Sequence, residues 1–362
     1  MDLRPRKLDL YIFKKFIFSF FIALALIMVI VIIFDISEKI DNFVANEAPL
    51  KAIVVDYYLN FIPYFINMFS PLFVFITVIF FTSRLAANSE IIAMLSSGIS
   101  YHRLMVPYLV ASALIALLSL YLNLFVIPNA NVTRIDFEQK YVKDKRETRR
   151  TVHYQIEPGT YVFVESFSNW NNTGYGFTLE TVEDNKLVSK LSAETAVWDT
   201  TFQGWKLRKC FLREYGSSLD DKITFIPQID TVISLTVNDF YRNKQTVQTI
   251  PYKELNELIE TQKMRGDRDV MFAEIEQAQR FALPFSAFIL TIMGVSLSSR
   301  KKRGGIGWNI ALGIGLAFTY ILFLKFSQMF VFTGSLSPNA ALWLPNVVFT
   351  VITGVLYKMA PK

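Results

Sequence analysis

The amino-acid sequence predicts an α-helical membrane protein with six transmembrane helices and an all-β domain inserted between the third and fourth. Three observations carry this. Six stretches are long and apolar enough to cross a bilayer. They fall three and three around a central segment patterned with period two. Lys and Arg gather on alternate sides of the successive spans. Composition agrees: of 362 residues, 52% are hydrophobic and 19% charged, against about 25% charged in ordinary soluble domains. The single cysteine, Cys210, excludes a disulfide scaffold and reads as a small packed hydrophobe.

A hydrocarbon core of about 30 Å needs about 20 apolar residues in a helix. Phe16–Phe34 carries no charge, and neither does Tyr57–Ser83, which holds Pro63 and Pro71, nor Leu104–Asn129. Beyond the central segment come Phe281–Ser299, Gly304 to about Thr333, interrupted only by Lys325, and Ala340–Tyr357. The first span is longer than the apolar core of a secretion signal. It lacks a small-residue cleavage site after it, so it reads as a retained helix.

Basic residues orient the spans. Arg4, Arg6, Lys7, Lys14 and Lys15 precede the first; Arg84 and Arg103 follow the second; Arg300, Lys301, Lys302 and Arg303 follow the fourth; Lys358 and Lys362 close the chain. The stretch after the first span is acidic, with Asp35, Glu38, Asp41, Glu47 and Asp56, and reads as a loop. Both termini are therefore expected in the cytoplasm and the central segment outside. The net charge of +6 becomes a topology signal, and a nucleic-acid partner is not expected.

The expected organisation is 1–129 for three spans, 130–268 for the external domain and its helical connector, and 269–362 for three further spans. Short alternating runs point to six to nine strands: Tyr161–Phe167, Tyr175–Val182, Lys186–Ala193, Ala193–Asp199, Trp205–Tyr215, Lys222–Ile226 and Thr231–Val237. A sandwich, a jelly roll or an open barrel all fit. Glu183, Asp184 and Asn185 mark a hairpin turn. Pro251 then precedes a helix over Tyr252–Met264 that Gly266 ends, and Val270–Ala282 runs into the fourth span.

Catalytic motifs are missing from the sequence. No P-loop, H-E-x-x-H, C-x-x-C or G-x-S-x-G occurs, and His102 and His153 are expected on opposite sides of the membrane. Ionisable residues within the spans are nearly absent, whereas ion-coupled carriers need them near the midplane. Neither a catalytic residue nor a bound cofactor or metal is expected in this chain, so transport would draw its energy from a partner. A non-transporting scaffold or sensor whose external domain binds envelope proteins is the alternative.

Between the second and third spans, a short helix over about 88–98 is expected, capped by Asn88 or Ser89, opened by Glu90 and ended by Gly98. Its apolar residues are Ile91, Ile92, Met94 and Leu95. The run Ser89–Ser100 resembles the coupling-helix motif of the LptF/LptG (YjgP/YjgQ) permeases, the membrane subunits of the lipopolysaccharide exporter of Gram-negative bacteria. Glu276, Arg280 and Pro284, with Gly294 and Arg303-Gly304, are similar to that family's E-x-x-x-R-x-x-x-P signature and the turn after it. Leu8–Ile12 resembles the LptG member more than LptF.

The resemblance implies a jellyroll-like periplasmic domain and an inner-membrane location. It also implies these partners: an LptB-type ATPase dimer that binds ATP and Mg, a second LptF/LptG-type permease and an LptC-type single-span protein. Lipopolysaccharide would be drawn from the outer leaflet of the inner membrane and passed through the β domain to a periplasmic bridge. Glu90, Ile91, Met94, Leu95 and Gly98 would meet the ATPase. Glu276 and Arg280 could equally be a helical i,i+4 pair. Lys39, Arg134 and Lys325 would lie at the height of the lipid phosphates, though Lys39 could instead pair with Glu38 or Asp41. Lys325 is the most telling, because a cation within an apolar span is costly without a purpose.

Overall fold

The computed structural model describes residues 7–142, 148–168, 170–184, 186–216, 221–241, 244–267, 269–299 and 305–360. Arg4, Arg6, Asn185, the turn Arg300–Gly304 and Lys362, all used in the sequence reading, lie outside the described residues. The chain divides into two units, Met1–Phe137 with Glu274–Lys362, and Glu138–Ala273.

In the first unit, six apolar helices are long enough to cross a membrane. They are α1 (Lys7–Ala45), α2 (Leu50–Ala87), α4 (Tyr101–Tyr141), α8 (Val270–Ser298), α9 (Gly305–Phe332) and α10 (Pro338–Met359). Between α2 and α4 lies the short α3 (Glu90–Ser96). The first three outrun their uncharged stretches. Asp35, Glu38 and Asp41, expected in a loop, continue α1, and the connection shrinks to the residues before Pro49. With no Pro or Gly between Lys7 and Ala45, nothing ends this helix at the edge of its apolar stretch. Two π-helical stretches, Ile53–Tyr58 and Leu122–Val126, interrupt α2 and α4.

Helix α2 is central. It packs on α1, α4 and α9, and shares one apolar core with α8 and α10. Gly294 lets α8 approach α2, since a Cβ there would meet Val78 Cγ1 at 2.8 Å. The most apolar windows of α2 and α8 are accordingly 61% and 72% buried, against 22% for α1 and 28% for α9. Helix α1 buries one residue per turn, Ile12, Phe16, Phe20, Leu24 and Met28, and leaves its other faces open.

The second unit is built on six antiparallel strands whose order in the sheet is their order in the sequence. They are β1 (Thr148–Glu157), β2 (Thr160–Ser168), β3 (Thr173–Glu183), β4 (Lys186–Asp199), β5 (Gly204–Glu214) and β6 (Lys222–Thr231). Two runs expected as separate strands merge in β4, and β1 lies outside the alternating runs. Thr231–Val237 is not a strand beyond Thr231. Thr236 caps α5 (Val237–Tyr241), its N–H and hydroxyl both bonding Asp239 Oδ2, at 2.8 and 3.0 Å. Leu235, Val237 and Phe240 close over one face of the sheet, where Phe240 stacks on Phe167 and Trp205 Nε1 donates to the Leu235 carbonyl at 2.7 Å.

Inward residues break their two-residue alternation along one line. Val164 and Phe167, Gly174 and Phe177, Ala193 and Ala196, Leu207 and Cys210, and Ile226 and Ile229 are each spaced by three. They pair rung to rung: Val164 with Phe177, Phe177 with Ala193, Ala193 with Cys210, and Cys210 with Ile226. A break at the same height in five strands creases the sheet, and Gly176 and Lys209 take positive φ there. After α5 come α6 (Lys244–Val247) and α7 (Tyr252–Met264), which buries Leu255, Leu258 and Ile259 as its spacing predicts and ends before Gly266.

Candidate functional site

Helix α3 is a seven-residue turn of chain held from both sides. Ser89 stands at its N-cap in the left-handed region (φ 61°) and makes no side-chain capping bond, and Asn88 instead donates to Glu90 Oε1 at 3.3 Å. At the other end, Gly98 takes φ +85°. Its N–H bonds the Leu95 carbonyl at 3.1 Å, and the Ile99 N–H bonds that of Met94 at 3.3 Å, a Schellman closure.

The start of α1 holds this turn in place. Tyr11 donates its hydroxyl proton to Glu90 Oε2 at 3.2 Å, and Lys15 donates to the same hydroxyl at 2.8 Å. Just beyond α3, Arg103 is ion-paired with Asp9, both side chains largely buried. His102 bonds Tyr357 of α10. Of the residues expected to meet a partner, Ile91 points inward and is fully buried in the helical core, with Met94 and Leu95 half-buried against it. The outward face is Ile92, Ala93, Ser96 and Gly98.

Toward the other end of α1, Lys39 is paired with Asp35 at 2.7 Å, rather than with Glu38 or Asp41. Its ammonium also bonds the Tyr57 hydroxyl and lies 4.8 Å from that ring's centroid. Tyr57 and Tyr58 both donate to Asp35, at 3.2 and 3.1 Å. Tyr57 stacks on Phe137 at 5.2 Å, one turn from Arg134. Arg134 is 6% exposed, lies 4.5 Å over the Tyr64 ring, and its Nε has no hydrogen-bond partner among the described residues. Lys39 and Arg134 thus border one aromatic cluster.

Lys325 stands on the exposed face of α9 among Leu322, Phe326 and Met329. Arg280, 1% exposed, donates from Nε to Glu276 Oε1 at 3.2 Å, so the helical pair forms. Pro284 lies one turn on, where Asn346 of α10 bonds the Ala282 carbonyl at 2.9 Å. The sequence reading missed Asp9, Tyr11, Tyr57, Tyr58 and Tyr64. Their polar tips sit in otherwise apolar stretches, a weak signal of contacts within the bundle. It also missed a polar trio, in which Asn67 donates to Asn123 at 2.7 Å and accepts from Ser119 at 2.5 Å.

A family model described as lipopolysaccharide export system permease LptF/LptG matches residues 10–359, from the first turns of α1 to the end of α10 and across the β unit. The chain belongs to the LptF/LptG family. No curated protein sequence matches it. As an LptF/LptG permease it is a multi-pass inner-membrane protein and a membrane subunit of a lipopolysaccharide export system. The match covers LptF and LptG alike.

Proposed function

We propose that this LptF/LptG permease is the LptG-like subunit of an ATP-driven extractor. It takes lipopolysaccharide from the outer leaflet of the inner membrane and hands it through its β domain to a periplasmic bridge. The observation that carries this is α3, a short helix with an outward face and a carboxylate at its start, in a sequence without a P-loop. An ATPase dimer of the LptB type, carrying ATP and Mg, would dock there. Glu90 would accept a cation of the partner while Tyr11 holds its other oxygen. Ile91 supports the site from within, and Ile92 takes its place in the contact.

The Lys and Arg pattern supports a topology with both termini and α3 in the cytoplasm and residues 130–268 in the periplasm. Lys39 and Arg134, bordering one aromatic cluster, and Lys325 among exposed apolar side chains, are the groups suited to lipid phosphates beside acyl chains. Partners are then a second LptF/LptG-type permease and an LptC-type single-span protein, for which α1 and α9 leave the most open surface.

A mild-detergent pull-down of the tagged chain, with proteins identified by mass spectrometry and lipids by extraction, tests the reading. A P-loop ATPase, a second six-span permease and a lipid A-containing glycolipid should co-purify, and Glu90→Ala should lose lipid-stimulated ATP hydrolysis. Recovery with external proteins alone would favour the scaffold instead.

A further inference from the structure

We propose that α1 is a stiff rod carrying the displacement of α3 across the membrane, with Tyr11 and the Asp9–Arg103 pair as the positioning residues that lock it on. The inference rests on α3 being the docking point of an ATPase. Its own support is the shape and attachment of α1.

Among the six apolar helices, α1 is the one with neither proline nor glycine over its length. The others each carry a place to bend: Pro63 and Pro71 in α2, Pro107 and a π-helical stretch in α4, Pro284 in α8, Gly313 in α9, and Pro345 in α10. Sharp bends in helices arise at such positions. A continuous helix without them passes a push at one end to the other. From Tyr11 to Lys39 that distance is about 42 Å at 1.5 Å per residue.

The near end is gripped at two points that bracket α3. Tyr11 holds Glu90 at its first residue, and Asp9 holds Arg103 just after its C-terminal turn. A force on α3 cannot shift it without moving the first turns of α1. The body of α1 meets the core along a single stripe of apolar residues, one per turn, and its other faces are open. At its far end stands Lys39 with Asp35, Tyr57 and Tyr58. Cytoplasmic movement is thereby converted into a change at the phosphate-binding height.

The test uses the complete ATPase–permease complex in liposomes loaded with lipopolysaccharide, and reads lipid released per ATP hydrolysed. Val29 and Ile30 are 58% and 48% exposed, midway along α1. The double variant Val29→Gly/Ile30→Gly softens the rod without touching the core. It should keep ATP hydrolysis and lower release per ATP by about five-fold, the lower end of a site-to-site coupling. Tyr11→Phe and Asp9→Asn should lower the same ratio, and the exchange Asp9→Arg/Arg103→Asp should restore it. Unchanged release per ATP in the glycine variant, or no rescue by the exchange, overturns the proposal. If no ATPase accompanies the unaltered chain, the underlying reading fails instead.

Discussion

Gly98 separates a turn from a contact. Its φ of +85° lies where a side chain costs about 1–2 kcal/mol, yet no heavy atom stands within 4 Å of the position a Cβ would occupy. The cost of Gly98→Ala in the free chain is therefore conformational. If the backbone escapes the strain by unwinding, it gives up the bonds to Leu95 and Met94, each worth about 0.5–1.5 kcal/mol. The two bonds together are worth about 1–3 kcal/mol, so keeping the strain is the cheaper route; at about 1.4 kcal/mol it is a factor of about ten in local opening. Asn, which tolerates the left-handed region, should cost much less. Amide hydrogen exchange of the segment around Ile99, followed by mass spectrometry in detergent, should be about ten-fold faster for Gly98→Ala and nearly unchanged for Gly98→Asn. Equal exchange in the two variants would refute the reasoning. ATPase binding should rank differently: an approach of the partner to the bare Cα penalises both side chains, whereas a mere turn penalises Ala alone.

Two further outcomes follow from charges. Asp35→Asn removes the carboxylate that occupies Lys39. It should raise affinity for a bis-phosphorylated lipid A by up to about five-fold, the equivalent of about 1 kcal/mol for a partly exposed pair; unchanged binding in a native mass-spectrometry titration would remove Lys39 as the phosphate contact. In the β unit, hydrogen bonds from Lys206, then from Thr201, hold the Asp199 carboxyl well below the ordinary carboxylate range. A depressed folded-state pKa adds stability above the unfolded value of about 4. That stability is lost as pH falls through the folded value. The thermal midpoint read from Trp fluorescence, with Trp198 and Trp205 beside this pair, should fall between pH 5 and pH 2 by less in Asp199→Asn than in the unaltered chain.

The six spans and the inserted β domain are legible in the sequence because apolar length and alternation are local properties. Helix α7 is read residue for residue, since Pro251, the spacing of Leu255, Leu258 and Ile259, and Gly266 all act within two turns. What escapes depends on distant chain. Asp35 is taken for a loop residue because it is charged, whereas Tyr57 and Tyr58 make it a half-buried hydrogen-bond acceptor on α1. Ile91 is assigned to a contact surface because it is apolar on a short exposed turn, but it is fully buried in the helical core. Thr231–Val237 alternates as a strand should, and the capping bond between Thr236 and Asp239 redirects it. Strand β1 opens with Thr148, Arg149, Arg150 and Thr151, which hide its alternation.

The crease in the sheet gives the chain a chemical reporter of its own. Cys210, its one thiol, lies on the line of that break, fully buried between Ala193 and Ile226 on the neighbouring strands. Burial pushes the thiol's pKa up, so the nucleophilic thiolate is scarce as well as enclosed. Alkylating reagents can reach it only when the packing around it opens. The rate at which Cys210 is consumed is therefore a clock of that opening, written into the native sequence and needing no added label.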